Sequence, residues 1–199
     1  MHDAIAWYEA HADEVVPRYE GYDPTTLNAW FRPFLPAAPA LVIDVGAGSG
    51  RDAAWLAGLG LAVIAVEPTR ALREGAQAHH QDPRIRWVDD RLPDLDRLHA
   101  EGVRADAVLL SAVWMHLPPA VRGRALTRLI GLLVSGGLLA LTIRQGPADP
   151  ERAMHPADAE EIGALSANLP LEVLHLARAE DVHRRPGVTW LNLAFRRST

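Results

Sequence analysis

Two acids in this chain close short apolar runs, and each is followed by residues with little or no flexible side chain. Asp44 sits in LVIDV, ahead of Gly46, Ala47, Gly48, Ser49 and Gly50. Glu67 ends LAVIAV about twenty residues beyond the first glycine, the offset at which a Rossmann-type unit sets an acid against ribose. The chemistry on offer is recognition of a nucleoside. Glycines let backbone approach a ligand closely, and one carboxylate accepts from two vicinal hydroxyls. Glu67 has a plainer use as the cap of a helix starting near Thr69, although Pro68 and Thr69 can start that helix without it. Further along, SAVWMH (Ser111 to His116) precedes Leu-Pro-Pro. An imidazole there can take a proton from an attacking hydroxyl or amine, or it can simply hydrogen-bond the loop. Trp114 serves either as a substrate platform or as core. Arg144, with Arg152, Arg184 or Arg185, offers a planar fork for a carboxylate or phosphate, with solvated surface charge as the competing use.

These residues need a scaffold that gathers strand ends. The run around Asp44 reads as a first buried strand, turning at the glycines into a helix that begins near Arg51. Further strands follow at Leu61 to Val66, Ile85 to Val88, Ala105 to Leu110 and Leu138 to Ile143, the last after an SGG turn. A long amphipathic helix spans Ala120 to Val134. Strands alternating with helices imply an α/β fold with a parallel sheet and right-handed crossovers. Upstream, two short helices near Asp3 to Tyr19 and Pro24 to Phe34 form a lid, with PRYEGYDP between them and PAAPA leading into the first strand. The remainder holds a helix over roughly Pro156 to Asn168 and two strands, Leu171 to Leu176 and Thr189 to Phe195, joined in a hairpin by RRPG. One domain is expected over 1–199, with the lid at 1–38 and the core at 39–199.

The glycines run G-x-G-x-G, and Arg51 stands where a dinucleotide fingerprint carries its last glycine. With Asp44 just ahead, this pattern resembles motif I of the class I S-adenosylmethionine (SAM) methyltransferases, and Glu67 corresponds to the acid of their second motif. The stretch GSGRDAAWLAGLGLAVIAVEP is similar to the small-molecule branch that includes tellurite and thiopurine methyltransferases. The resemblance continues through Ala105 to Thr142. It implies a Rossmann-like, seven-stranded, mainly parallel sheet with helices on both faces and an antiparallel last strand. It also implies SAM as cofactor and S-adenosylhomocysteine as product. Asp44, the turn from Gly46 through Ala47 and Gly48 to Gly50, Glu67 and Pro68 would hold the cofactor, with Ser111 under its methionine arm. The adenine would lie beyond the third strand, where Asp89, Asp90 and Arg91 follow. Asp90 suits the family's adenine-binding acid better than Asp89, because strand alternation turns Trp87 inward and leaves Asp89 to solvent. His116 stands where these enzymes carry a histidine near the methyl group, which makes it the candidate general base. Tyr19, Trp114 and Arg144 are the candidate acceptor contacts. Tyr8, His11, Arg18 and Tyr19 lie on a helix of the kind that covers SAM and substrate in related enzymes, and surface or packing roles compete for each.

Composition narrows the partners. A chain of 199 residues can bury a core, and no run approaches the length of a membrane span. The segment MHDAIAWYEAHADE carries acids where a secretory signal carries positive charge, so a cytoplasmic protein is expected. There is no cysteine, which excludes disulfides, thiolate metal sites and the nucleophile of cytosine C5 enzymes. There is no lysine either, so the Lys-Asp-Lys-Glu type of ribose methylation is excluded. The Asp/Asn/Ser-Pro-Pro-aromatic signature of amino-directed DNA enzymes is missing after the fourth strand. His79, His80, His155, His175 and His183 show no metal-ligand spacing, and no metal is expected. A formal net charge of -5 argues against a general phosphate-binding surface and so against nucleic acid. The reading that remains is methyl transfer to an oxygen or nitrogen nucleophile of a small molecule by in-line displacement. Two alternatives stay open: a protein or RNA methyltransferase, and a non-catalytic SAM-binding subunit.

Overall fold

The computed structural model describes residues 4–182 and 184–198; Asp3 and His183 lie outside them. Among the described residues seven strands form one sheet: β1 (Leu41–Val45), β2 (Ala62–Val66), β3 (Ile85–Val88), β4 (Ala105–Ser111), β5 (Leu133–Gln145), β6 (Leu171–Glu180) and β7 (Thr189–Arg197). Their order is β3-β2-β1-β4-β5-β7-β6. The first five are parallel, and β7 runs antiparallel between β5 and β6. The chain leaves β1 in one direction toward β3 and returns on its other side at β4. That reversal opens a crevice at the carboxyl ends of β1 and β4, where open α/β sheets take their ligands.

The helices are α1 (Ala4–Ala10), α2 (Ala12–Glu20), α3 (Pro24–Leu27), α4 (Arg51–Gly58), α5 (Arg70–His79), α6 (Asp96–Ala100), α7 (Pro119–Gly131) and α8 (Ala159–Ser166), with single 3-10 turns at Arg32–Phe34 and Trp114–His116. Strand alternation divides the core in two. Ile43, Val45, Val108 and Leu110 pack on Leu98, Leu126, Leu129 and Ile162 of α6, α7 and α8. Val42, Val63, Ala65 and Leu109 pack on Phe31 and on Ala53, Leu56 and Ala57 of α4. Asp44, two residues after Val42, therefore emerges on the α4 side, beside the glycine turn. A third, small cluster of Ala12 and Val15 with Leu72 seats α2 on α5. No described helix is long and apolar enough to cross a membrane.

Three departures from expectation have local causes. The expected first helix breaks at His11, whose Nδ1 donates to the Trp7 carbonyl at 2.7 Å and so occupies an acceptor of the helical ladder. The expected Pro24 to Phe34 helix lasts four residues. Asp23 caps it by accepting from the Thr25 and Thr26 N–H groups, but the Asn28 side chain turns away to Asp52 and Pro33 has no N–H to continue it. The SGG expected to be a turn lies inside β5 as a bulge. Pairing begins at Ala105 with Leu133 and resumes, shifted, at Ala107 with Leu138, while Gly136 takes a φ of 79°.

Candidate functional site

The carboxyl end of β1 opens on the glycine turn. Gly46 and Ala47 donate their N–H groups to the Val66 carbonyl at 2.8 and 2.9 Å, which ties the turn to β2. Gly46, Gly48 and Gly50 have φ of 74°, 56° and 86°, where only glycine sits without strain. A Cβ on Gly46 would stand 2.5 Å from Val113, and one on Gly50 2.6 Å from Trp87 and 2.8 Å from His80. At Gly48 the nearest atom would be Tyr19 at 3.8 Å. Gly46 and Gly50 are thus required by close neighbours, whereas Gly48 has steric room and borders a space that it shares with Tyr19. That space is a cavity of about 940 Å³, a size suited to a cofactor and a small ligand together. Tyr8, Tyr19 and Trp30 line it from the N-terminal segment.

Three buried carboxylates face this end. Asp52 is matched: Arg51 donates Nε and Nη2 to it at 3.0 and 2.9 Å, and Asn28 Nδ2 donates at 3.0 Å, locking the segment after α3 onto α4. Glu67 accepts the Gly48 N–H on one oxygen and the Thr69 N–H on the other, both at 2.8 Å. Of the uses expected of Glu67, the contact at the start of α5 is present, and the same carboxylate braces the glycine turn while each oxygen keeps a lone pair. Asp44 is 1% exposed, and its Oδ2 has no hydrogen-bond partner among the described residues. Burial and the nearby Asp52 and Glu67 charges hold the Asp44 carboxyl well above the usual carboxylate range. Burial raises Glu67 as well, against the two N–H groups that lower it. Buried acids short of donors beside a bare turn fit a ligand that brings positive charge and hydroxyl groups. SAM brings both. Ser111 and Ala112, at the mouth of β4, line the same space. Ala112 takes a φ of 59°, rare for a residue with a Cβ, and its N–H is held by the Thr142 hydroxyl at 2.9 Å.

His116 closes the 3-10 turn at the cavity wall. Its Nδ1 donates to the Arg152 carbonyl at 2.9 Å, which leaves Nε2 as an acceptor. Nε2 stands 3.3 Å from the Tyr8 hydroxyl, itself 3.4 Å from the Tyr19 hydroxyl. Both contacts are long, so neither commits its groups strongly. Burial pushes the imidazole down to about 4 and the Tyr8 phenol up. At neutral pH His116 is therefore an uncharged acceptor. Arg122, 1% exposed, fixes the following loop by donating to the Leu117 and Pro156 carbonyls at 3.0 and 2.9 Å and to Glu161 at 2.6 Å.

The structure corrects several expected contacts. Trp114 does not line the cavity. Its ring is wholly buried in the core among residues of the α7 layer, because the 3-10 turn swings it inward. Asp89, Asp90 and Arg91 do not line it either. Asp90 accepts from the Arg91 N–H at 2.9 Å and from the Leu98 N–H at 3.0 Å, serving the first turn of α6, a helix the sequence reading does not include. The Asp89 side chain is 57% exposed and meets Arg73 at 3.2 Å. Gly50 caps α4 beneath Trp87 rather than facing the cavity. Tyr19, Pro68, Ser111, His116 and Arg144 do line it. Sequence reasoning missed Arg122, Asn28 and Ala112, and Arg152 as a holder of His116. Arg152 acts on His116 through its backbone carbonyl, which no side-chain pattern reveals. Glu20 meets His79 and His80 at 3.8 and 3.2 Å, joining α2 to the end of α5, another pairing without a sequence signal.

A family model described as a methyltransferase domain matches residues 42–137. Trans-aconitate 2-methyltransferase of Methylobacterium radiotolerans is 32% identical over 123 residues, covering 57% of this chain and 41% of that protein. The chain thus matches about two fifths of that relative's length. Among solved structures, Burkholderia thailandensis 1,6-didemethyltoxoflavin-N1-methyltransferase, with 1,6-didemethyltoxoflavin and S-adenosylhomocysteine bound, superposes with a TM-score of 0.65 at 24% identity over 96% of this chain and 88% of its own. Magnesium protoporphyrin IX methyltransferase from Synechocystis, with SAM bound, gives 0.67 at 18% identity over 97% and 81%. A SAM-dependent methyltransferase from Anabaena variabilis gives 0.72 at 13% identity over 99% and 96%. At such identities these structures establish the fold. With a methyltransferase-domain match from β1 through the start of β5 and a glycine turn between two buried acids, the chain shares the fold of the S-adenosylmethionine-dependent methyltransferases.

Proposed function

We propose that the chain binds SAM at the mouths of β1 and β2 and directs its methyl group to an oxygen or nitrogen nucleophile of a small molecule. The observation that carries this reading is the buried Asp44 Oδ2, without a partner among the described residues, lying with Glu67 around the glycine turn at Gly48. Glu67 accepts ribose hydroxyls on its free lone pairs, Asp44 supplies negative charge toward the cationic end, and Gly46 to Gly48 keep side chains out of the way. When bound, SAM supplies a methyl group on a sulfonium, open to in-line displacement by a nucleophile. His116 Nε2 orients the nucleophile by accepting its hydrogen. The N-terminal segment excludes water through Tyr8, Tyr19 and Trp30, and the covered cavity aligns the reactants.

The relatives named for trans-aconitate and for 1,6-didemethyltoxoflavin support a small-molecule acceptor. The cavity runs on past His116 to Thr142 and Arg144, which leaves room for an acceptor and favours an enzyme over a non-catalytic subunit. Calorimetric titration with SAM, S-adenosylhomocysteine and NAD tests the assignment. Binding of the first two and not of NAD is expected; NAD binding, or indifference to SAM, overturns it.

A further inference from the structure

The cavity changes sign along its length. Asp44, Asp52 and Glu67 line one end, and arginines line the other. Strand alternation turns Thr142 and Arg144 of β5 to one face, and antiparallel register sets Asn192 and Trp190 of β7 beside them. Arg152, after β5, and Arg185, between β6 and β7, reach the same end. Two of these three guanidiniums already hold a carboxylate of the chain. Arg152 donates Nε and Nη2 to Asp149 at 2.8 and 2.6 Å, and Arg185 donates Nε and Nη2 to Asp181 at 3.0 and 2.7 Å. Arg144 has no such partner among the described residues. Its Nη1 donates to the Pro147 carbonyl at 2.9 Å, and its Nε is buried with no acceptor.

This arrangement is built rather than loose. Asp181 is 3% exposed and also accepts from Trp190 Nε1 at 2.9 Å, so Arg185 is anchored to a fixed acid. Gly146 makes room for Arg144, since a Cβ there would stand 3.2 Å from its Nη2. Burial, with the Arg185 and Arg152 charges, lowers the Arg144 guanidinium despite Asp149 and Asp181. A cation held among like charges with a donor unpaired is stabilised by any anion that fits its fork. Exposed Arg18 and Glu180 at the rim roughly offset each other.

We propose that this end of the cavity is a handle site, and that the methyl acceptor is a small molecule bearing a carboxylate that Arg144 receives as a two-pronged pair. Three guanidiniums against two carboxylates leave a single positive charge unmatched, which suits a carboxylate better than a doubly charged phosphate. A carboxylate gripped in this way is ion-paired through both oxygens, which makes them poor nucleophiles, so the atom that is methylated is a second group on the acceptor. The methyl acceptor's role rests on the methyltransferase reading, while anion capture by Arg144 does not.

Thermal melting of the whole chain separates the two. Wild type, Arg144→Gln and Arg144→Lys are melted with and without S-adenosylhomocysteine, in the presence of benzoate, salicylate and succinate, each beside its neutral amide, and of phenyl phosphate. A ligand at about a hundredfold its Kd raises the Tm of a chain of this size by about 5 to 10 °C. The expected result is a rise of that order with at least one carboxylate and not with its amide. That rise is absent in Arg144→Gln and reduced in Arg144→Lys, which keeps the charge but not the fork. The S-adenosylhomocysteine shift stays equal in all three proteins. No carboxylate-specific rise, a rise that survives in Arg144→Gln, or a larger response to phenyl phosphate overturns the handle. A carboxylate rise without any S-adenosylhomocysteine rise leaves the handle standing and overturns the methyltransferase reading instead.

Discussion

Replacing Glu67 by Gln tests how the acid end of the cavity is made. Both Glu67 oxygens accept backbone N–H groups, from Gly48 and from Thr69, each at 2.8 Å and in a buried setting. A glutamine has one acceptor and one donor where the carboxylate has two acceptors. Whichever way its amide is turned, an NH₂ group faces either Gly48 or Thr69, and one buried N–H loses its partner. Such a loss costs about 1 to 3 kcal/mol, and at about 2 to 4 °C per kcal/mol the melting temperature falls by about 2 to 12 °C. Ribose recognition weakens separately, because one of the two charge-assisted acceptors is gone. At about 1.5 to 3 kcal/mol, that is a Kd for SAM raised about 10- to 150-fold. Differential scanning calorimetry reads the first effect and isothermal titration the second. The gap between the two proteins should narrow as the pH is lowered, since burial raises the Glu67 pKa and the wild-type side chain then becomes protonated as well. A variant that melts with the wild type and binds SAM as tightly refutes the reasoning.

His116→Asn should lower kcat about a hundredfold and leave SAM affinity unchanged if His116 handles the nucleophile's proton. The wild-type rate should then hold as pH falls from neutrality and drop only near 4, where the buried imidazole protonates. A pH–rate profile with its acid limb near the ordinary histidine value contradicts this. The stability that neutral His116 contributes has the same sign: it is complete above the unfolded histidine pKa and is lost as pH falls through about 4. Asp44 has the opposite sign, because its carboxyl is raised in the folded chain. Its contribution to the stability of the unliganded protein is complete below the ordinary carboxylate pKa and is lost as pH rises through the raised value. A cationic ligand draws that proton off, so SAM binding should release protons to buffer and tighten with pH. Calorimetry in buffers of different ionisation enthalpy detects the release, and equal proton release by wild type and Asp44→Asn counts against the assignment.

β1, β2 and β4 are legible because strands buried on both faces appear as largely apolar runs; the edge strand Ile85–Val88, with Arg86 exposed, is also found with both ends correct. β5 is harder, since SGG carries the marks of a turn and only pairing with β4 shows that the strand absorbs it as a bulge. The same division runs through the site. Asp44, Gly46 and Gly48 can be placed at the cavity because a tight turn at a strand end requires particular backbone conformations, and those restrict residue type. Trp114 and Asp90 cannot, because their directions depend on a 3-10 turn and on α6, both set by tertiary packing. Tyr8 and Tyr19 lie on α1 and α2, on either side of the break at His11, so the meeting of their hydroxyls does not follow from one helical period. The pairing of Tyr8 with His116, 108 residues away, has no sequence signal either.

The N-terminal helices are fastened unequally. Near α3 the root is held by Asn28, 2% exposed, on the Asp52–Arg51 pair, and α2 buries Ala12 and Val15 against α5. α1 buries no residue fully: Trp7 and Tyr8 pack half-buried on the Ala12, Val15 and Leu72 cluster, Trp7 lies beneath the Arg152 guanidinium at 5.7 Å, and its polar contacts include the long Tyr8–His116 one and an exposed bond from the Ala71 N–H to Glu9. Local opening begins where buried contacts are fewest, so α1 is expected to lift before α2, baring the His116 end while Tyr19 stays by Gly48; faster amide exchange in α2 than in α1 would contradict this. On the methyltransferase reading, the expected consequence is ordered exchange, with acceptor and product passing at the α1 end while the nucleoside stays in place.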